Sequence, residues 1–286
     1  MGPPHPMHLL LLHQNFPGQF RHLGPAWLAA GHRLTAIGQA PSPPPWQGRF
    51  AYYSYATQRC PNPALALELR LRELQANPGL APQLVIAHSG WGEALPIKRL
   101  WPHTPLLVYP ELWGSARALG EGFDPWQPAL DASQHLALRH LNRRTSRSLQ
   151  LADAAVVPTP RQRLSFPPRW HTRLRVLHEG IDTDLQRPDA NASLTLPNGT
   201  QLTRGQPVLT YVSRAFEPLR GLHTWLSALP ELLRSHPNLQ VVMAGGEGVA
   251  YSLPGHQRGS LEQQLAQLPH DIDWSRLHLP GLLDPQ

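Results

Sequence analysis

MHLLLLHQNFPGQFRHLGPAWLAAG, residues 7–31, sets out a strand, a turn and a helix in that order. Residues 7–12 form an apolar run that is too short to span a membrane and has no signal-peptide cleavage pattern, so it reads as a buried first strand. HQNFPGQF then turns sharply, with Gly18 at the tight position. Phe20, Leu23, Trp27 and Leu28 follow at helical spacing until Gly31 offers a C-terminal stop. A strand that is apolar on both faces and leads straight into a helix indicates a parallel sheet covered on both sides.

The same alternation continues along the chain. Strands are expected at 34–37, 84–87, 106–109 and 154–157, and helices near 64–75, 93–100 and 129–151. This is a first α/β domain, residues 1–165. Thr159-Pro160 looks like a helix cap with proline in the first turn, and a short strand at 175–177 ends in HEGIDTD. LTLPNGTQLT, residues 194–203, carries Asn198-Gly199 between alternating residues, a strong hairpin signal. We therefore expect a linker containing a hairpin over 166–205. A second alternation follows, with strands at 208–212, 239–244 and 277–279 and helices at 222–234 and 261–268, which defines a partial second domain over 206–286. Three strands and two helices are expected to leave an open sheet edge and uncovered apolar faces. PSPPP at 41–45 reads as an exposed connection.

A chain of 286 residues is long enough for two domains, each with its own core. The formal charge of +6 comes almost entirely from arginine, since Lys98 is the only lysine. That excess suits anionic ligands. No dense basic run with interleaved aromatics appears, which argues against nucleic acid as a partner. The single cysteine, Cys60, excludes an internal disulfide and argues against a CxxC metal site, so a cytoplasmic protein without a metal is expected.

Two stretches point to an anionic ligand. In VLTYVSRAFEPLRG, residues 208–221, an apolar run ends at Arg214, and Arg220 follows after a turn at the opening of a helix. Two permanent charges and free backbone donors in that arrangement suit a diphosphate, although two solvated arginines are the plainer reading. In LQVVMAGGEG, residues 239–248, Gly245 and Gly246 either let the backbone approach a nucleotide or simply make a strand–helix turn. In the first domain, the loop containing Gly18 and Gln19 has two readings, a cradle for a phosphate or sugar hydroxyl and a plain turn. His88 closes the run LVIAH ahead of Gly90 and Gly92, at a strand end with little bulk around it; Glu93 stands where it would orient the ring or start the next helix. Glu111, after LLVYP, is placed to line the acceptor side or to be solvated. No GxGxxG follows either leading strand, which disfavours a dinucleotide-dependent oxidoreductase.

The order of MHLLLLHQNFPGQFRHLGPAWLAAGH, PQLVIAHSGWGEAL, HEGIDTD, TYVSRAFEPLRG and MAGGEG resembles the retaining GT-B glycosyltransferases of family four over nearly the whole chain. The resemblance implies two Rossmann-like domains, the second incomplete here, and transfer of a sugar from a nucleotide-diphosphate-sugar donor to an acceptor with retention. It implies no cofactor besides the donor, a saccharide or lipid-linked acceptor, and peripheral membrane contact. By the same resemblance Arg214 and Arg220 hold the donor diphosphate, Gly245 and Gly246 face the nucleotide, Gly18 and Gln19 form the acceptor-side loop, and the catalytic position beside the reacting sugar falls to His88. Arg220 departs from the family's usual lysine but keeps the charge and offers a bidentate fork. The family's glutamates that contact donor sugar and ribose have no counterpart before Gln286, which makes a C-terminal truncation the expectation. Two related readings stay open, a truncated non-catalytic nucleotide-binding relative and a GT-B nucleotide-sugar epimerase.

Overall fold

The computed structural model of the chain describes residues 5–56, 60, 62–76, 79–119, 121, 129–248 and 259–283. They form two compact units, Met1–Ser115 with His135–Leu185 and Ala116–Gln134 with Gln186–Gln286.

The first unit is built on β1 (His8–Leu12), which leads through a short 3-10 turn into α1 (Leu23–Ala29) and then β2 (Arg33–Gly38). β3 (Phe50–Ser54), α2 (Pro63–Gln75), β4 (Leu84–His88), α3 (Ile97–Leu100) and β5 (Leu106–Tyr109) follow. The unit ends with α4 (Ala132–Leu151), whose first three residues belong to the second unit, β6 (Ala154–Val157), α5 (Pro160–Ser165) and β7 (Leu174–Val176). The seven strands make one sheet in the order β3-β2-β1-β4-β5-β6-β7, and every pairing is parallel. β1 is buried along its whole length, because its two faces serve two separate clusters. Leu10 and Leu12 pack with Leu67, Leu71 and Val85 on one side, while Leu9 and Leu11 pack with Phe16, Phe20 and Leu34 on the other. Each such leucine contributes roughly 1.5–3 kcal/mol of burial free energy.

Local sequence fixes the helix starts. The Asn62 side chain accepts from the amides of Ala64 and Leu65 at the head of α2, and the Thr159 hydroxyl accepts from Gln162 at the head of α5, as its Thr-Pro pair predicts. β3 was not expected. Its sequence FAYYS neither alternates nor forms an aliphatic run, and its residues are only half-buried at the sheet edge.

The second unit contains the hairpin of β8 (Ser193–Thr195) and β9 (Gln201–Thr203), then β10 (Val208–Ser213), α6 (Leu222–Ser235), β11 (Gln240–Gly245), α7 (Leu261–Leu265) and β12 (Leu277–Gly281). β10, β11 and β12 pair in parallel in that order. α6 buries Leu222, Leu226, Leu229 and Leu233, a 3.6-residue stripe laid on the sheet.

The units divide differently from the expected 1–165, 166–205 and 206–286. β7 pairs with β6, so the first unit extends to Leu185. The hairpin is part of the second unit, because Leu196 and Leu202 are buried against Val242 of β11. Among the described residues no helix is long and apolar enough to cross a membrane.

Candidate functional site

In the first sheet the chain winds outward in both directions from β1, through β2 to one side and β4 to the other. Such a reversal opens a crevice at the carboxyl ends of the two central strands. His13 follows the last residue of β1, and His88 is the last residue of β4. Their imidazole centroids lie 4.9 Å apart. Trp91 leans on both, 4.7 Å from the His88 ring and 5.6 Å from that of His13.

Glycines make room for these rings. A Cβ on Gly18 would lie 2.4 Å from His13 Nε2, and Gly18 has φ +48°, so both space and backbone require glycine. A Cβ on Gly90 would lie 2.7 Å from His88 Cε1. The expectation that little bulk surrounds His88 holds only on the Gly90 side, because His13 and Trp91 pack against the ring and bury it. Burial, aided by the neighbouring His88, pulls the His13 pKa down to about 4, so His13 is neutral near pH 7.

His88 is buried and held at both nitrogens. The Gly90 amide donates to Nδ1 at 3.1 Å, and Nε2 lies 3.2 Å from Glu111 Oε2. Glu111 is the only non-glycine with positive φ among the described residues, at +47°. Its neighbours close a three-residue turn by a bond from the Leu112 amide to the Pro110 carbonyl. Backbone held in this region costs about 1–3 kcal/mol and is found where the surroundings enforce it. The loop that follows is tied to α4 and α5. Asn142 clasps Gly114 through both its amide and its carbonyl, at 2.9 and 2.6 Å, and Ser165 Oγ accepts from the Trp113 amide at 3.1 Å.

Glu93 lies almost wholly buried beneath the two loops. Its carboxyl accepts from the Gln14 amide at 3.2 Å and from the Trp91 amide at 3.1 Å, joining the loop after β1 to the loop after β4. Burial raises its pKa. On the far side of β5, Tyr109 donates to Glu179 of the HEGIDTD segment at 2.7 Å. His88, Glu111, Gly18 and Gln19 thus belong to one end of one sheet. Sequence reading missed His13, Trp91, Tyr109, Glu179 and Asn142. His13 had the best signal, being the polar residue that ends the β1 run.

In the second unit Arg214 follows β10 and Arg220 closes a 3-10 turn, Pro218–Arg220, ahead of α6. Both arginines are exposed. Glu217, which sequence reading passed over, is completely buried with an oxygen 3.5 Å from Arg220 Nε, and Tyr211 donates to the Arg220 carbonyl at 3.1 Å. The Arg220 turn is therefore anchored from below at two points. Gly245 ends β11 with φ +154°, and a Cβ there would lie 2.0 Å from the Ser213 carbonyl oxygen. Only glycine lets the ends of β10 and β11 meet so closely. Gly246 is different, since a Cβ would meet nothing nearer than 3.6 Å; its carbonyl accepts from the Phe216 amide at 2.9 Å. A cavity of about 160 Å³ beside Phe216 is lined by Glu247, Gly248, Ser260 and Leu261. A larger one, about 360 Å³, lies among α2, α3 and α4 and is lined by none of the predicted site residues.

Two Rossmann-like units with parallel sheets, the second with its described strands on one side of its leading strand, define a two-domain GT-B-type α/β fold. A family model for the glycosyl transferase family 4 group matches residues 37–186, and the chain belongs to that family. No curated protein sequence matches it. Among solved structures, the Anabaena protein HepE in complex with UDP is similar with a TM-score of 0.56 and 14% identity, over 97% of this chain and 69% of that one. A UDP-N-acetylglucosamine 2-epimerase gives a TM-score of 0.52 and 10% identity, over 98% and 70%. A UDP-glucosyltransferase from Polygonum tinctorium, capable of glucosylating indoxyl, gives 0.51 and 13%, over 100% and 72%. At these identities the likeness is one of fold.

Proposed function

We propose that this chain is a glycosyltransferase that takes a sugar from a nucleoside-diphosphate-sugar donor and passes it, with retention and without a further cofactor, to a saccharide or lipid-linked hydroxyl. The observation that carries this reading is that each unit of a member of the family bears its own strand-end cluster: buried imidazoles and a carboxylate in the first unit, and a glycine-tight turn with two exposed arginines in the second. Arg214 and Arg220 supply charge to a diphosphate, each charge-assisted contact contributing about 1.5–3 kcal/mol, and they stabilise the charge that develops on the departing nucleoside diphosphate. Gly245 acts indirectly, by letting the ends of β10 and β11 meet closely enough to bring the Arg214 and Gly246 loops together at one strand end. UDP is the probe to choose, because HepE, a solved structure of this fold, is in complex with it. The reading includes peripheral contact with an anionic membrane surface, supported by α4, which carries four arginines and no acidic residue.

Calorimetric titration with UDP and with uridine tests the donor site. Arg220→Ala is expected to weaken UDP binding about tenfold, or about 1.4 kcal/mol, and to leave uridine unaffected. Equal losses for both ligands, or no UDP binding by the unaltered chain, would remove Arg220 from the diphosphate.

A further inference from the structure

We propose that Glu111 is the residue of the first unit that meets a sugar hydroxyl, and that His88 is a positioning residue acting through it. This rests on the glycosyl-transfer reading above and assigns the roles within it. The Gly90 amide donates to His88 Nδ1, so the proton of the neutral ring sits on Nε2, and Nε2 donates to Glu111 Oε2. With both nitrogens engaged, the neutral imidazole has no lone pair to offer a substrate. Access agrees, since the His88 side chain is 5% exposed and that of Glu111 is 26% exposed. Trp91 and His13 cover the imidazole from two sides.

Glu111 is aimed by its surroundings. Its backbone has positive φ, one of its oxygens is held by His88 Nε2, and Asn142 and Ser165 fix the loop that follows. A carboxylate has about four acceptor positions, and the bond from His88 fixes the orientation of one Glu111 oxygen while about a quarter of the side chain stays exposed. The ligand chemistry is a hydroxyl donor on a sugar ring, in the donor sugar or in the acceptor. Glu111 makes and breaks no covalent bond in this role.

Two measurements decide the assignment. In protein labelled with ¹⁵N-histidine, with the His88 signals identified by their loss in His88→Gln, His88 is expected as the Nε2–H tautomer. The Nδ1–H tautomer would overturn the arrangement. In the second measurement, UDP release is followed from UDP-glucose and from UDP-N-acetylglucosamine, in water and with added glucose. Glu111→Gln and Glu111→Ala are expected to slow release about ten- to a hundredfold, as loss of a charge-assisted hydrogen bond does, with affinity for UDP unchanged. A loss seen only with added glucose assigns the hydroxyl to the acceptor, and a loss in both assigns it to the donor sugar. His88→Gln, whose amide can still donate to Glu111, should stay within about threefold of the natural chain, while His88→Ala falls with Glu111→Ala. If His88→Gln is as slow as His88→Ala and Glu111→Gln is not slowed, His88 itself touches the substrate and the proposal fails. A natural chain that releases UDP from neither donor refutes glycosyl transfer, and the tautomer alone then decides the pair.

Discussion

His13 shows how a single residue ties the site to the stability of the unit. Its imidazole is buried between Phe20, His88 and Trp91 and rests on Gly18, and desolvation is the main reason its pKa falls from 6.5 to about 4. The folded chain therefore resists a proton that the unfolded chain accepts below pH 6.5. Stability is full above that value and declines as pH falls toward 4, by roughly 3 kcal/mol over the whole interval. Glu93 works with the opposite sign, because its raised pKa disfavours ionisation in the fold and its contribution is lost as pH rises above the usual 4.5. In denaturant titrations between pH 4 and 7 the two residues pull the unfolding free energy in opposite directions, and His13→Gln should remove the component that rises with pH even if it lowers stability throughout. An unchanged slope would mean that His13 does not titrate as its burial implies. The residue scale is also where sequence reading was least able to see the site. LVIAH and PEL place His88 and Glu111 at strand ends, but nothing in either stretch tells that one will donate to the other, because that depends on β4 and β5 lying side by side. The loop after Glu111 is tied to α4 and α5, far along the chain.

At the scale of elements the sequence was most legible where burial is two-sided. β1, β2, β4 and β11 are nearly continuous buried runs, and their apolar character decides their conformation without help from neighbours. β3 sits at one end of the sheet, where half-buried residues give no clear period, whereas β7 at the other end was expected within one residue of its place. α4 carries a different message. His135, Arg139, Arg143 and Arg147 follow at four-residue spacing on exposed positions, and its sequence contains no aspartate or glutamate. Like charges at that spacing destabilise an isolated helix by about 0.2–0.5 kcal/mol per pair, so the stripe is costly unless it faces anions. A basic surface gains about 1 kcal/mol per arginine at an anionic bilayer, and the gain fades with salt. Sedimentation with phosphatidylglycerol vesicles should retain the protein at low ionic strength, and vesicles of phosphatidylcholine should not. Arg139→Glu, Arg143→Glu and Arg147→Glu together should abolish the retention. Equal binding of the triple variant would show that α4 is not the contact.

At the scale of the whole molecule, the two units differ in how their leading strands are housed. β1 has a partner on each side, β2 and β4, and is buried from end to end. β10 has β11 on one side only among the described strands, and it exposes Val208 at 36% and Val212 at 75%. An edge strand leaves alternate amides outside the ladder, and a half-buried one adds little hydrophobic stabilisation to hold them. Opening of β10 should therefore need far less free energy than opening of β1, whose release requires the core of the first unit to come apart. Hydrogen exchange followed by mass spectrometry offers a direct comparison. Peptides covering His8–Leu12 should be among the last to exchange, while those covering Val208–Ser213 should exchange orders of magnitude faster and faster than those covering Gln240–Gly245. Saturating UDP should slow exchange at the carboxyl end of β10, next to Arg214, and leave β1 unchanged. If β10 proves as protected as β1 in the free protein, its outer edge is covered in solution, and the exposed valines mark an interface and not an open edge.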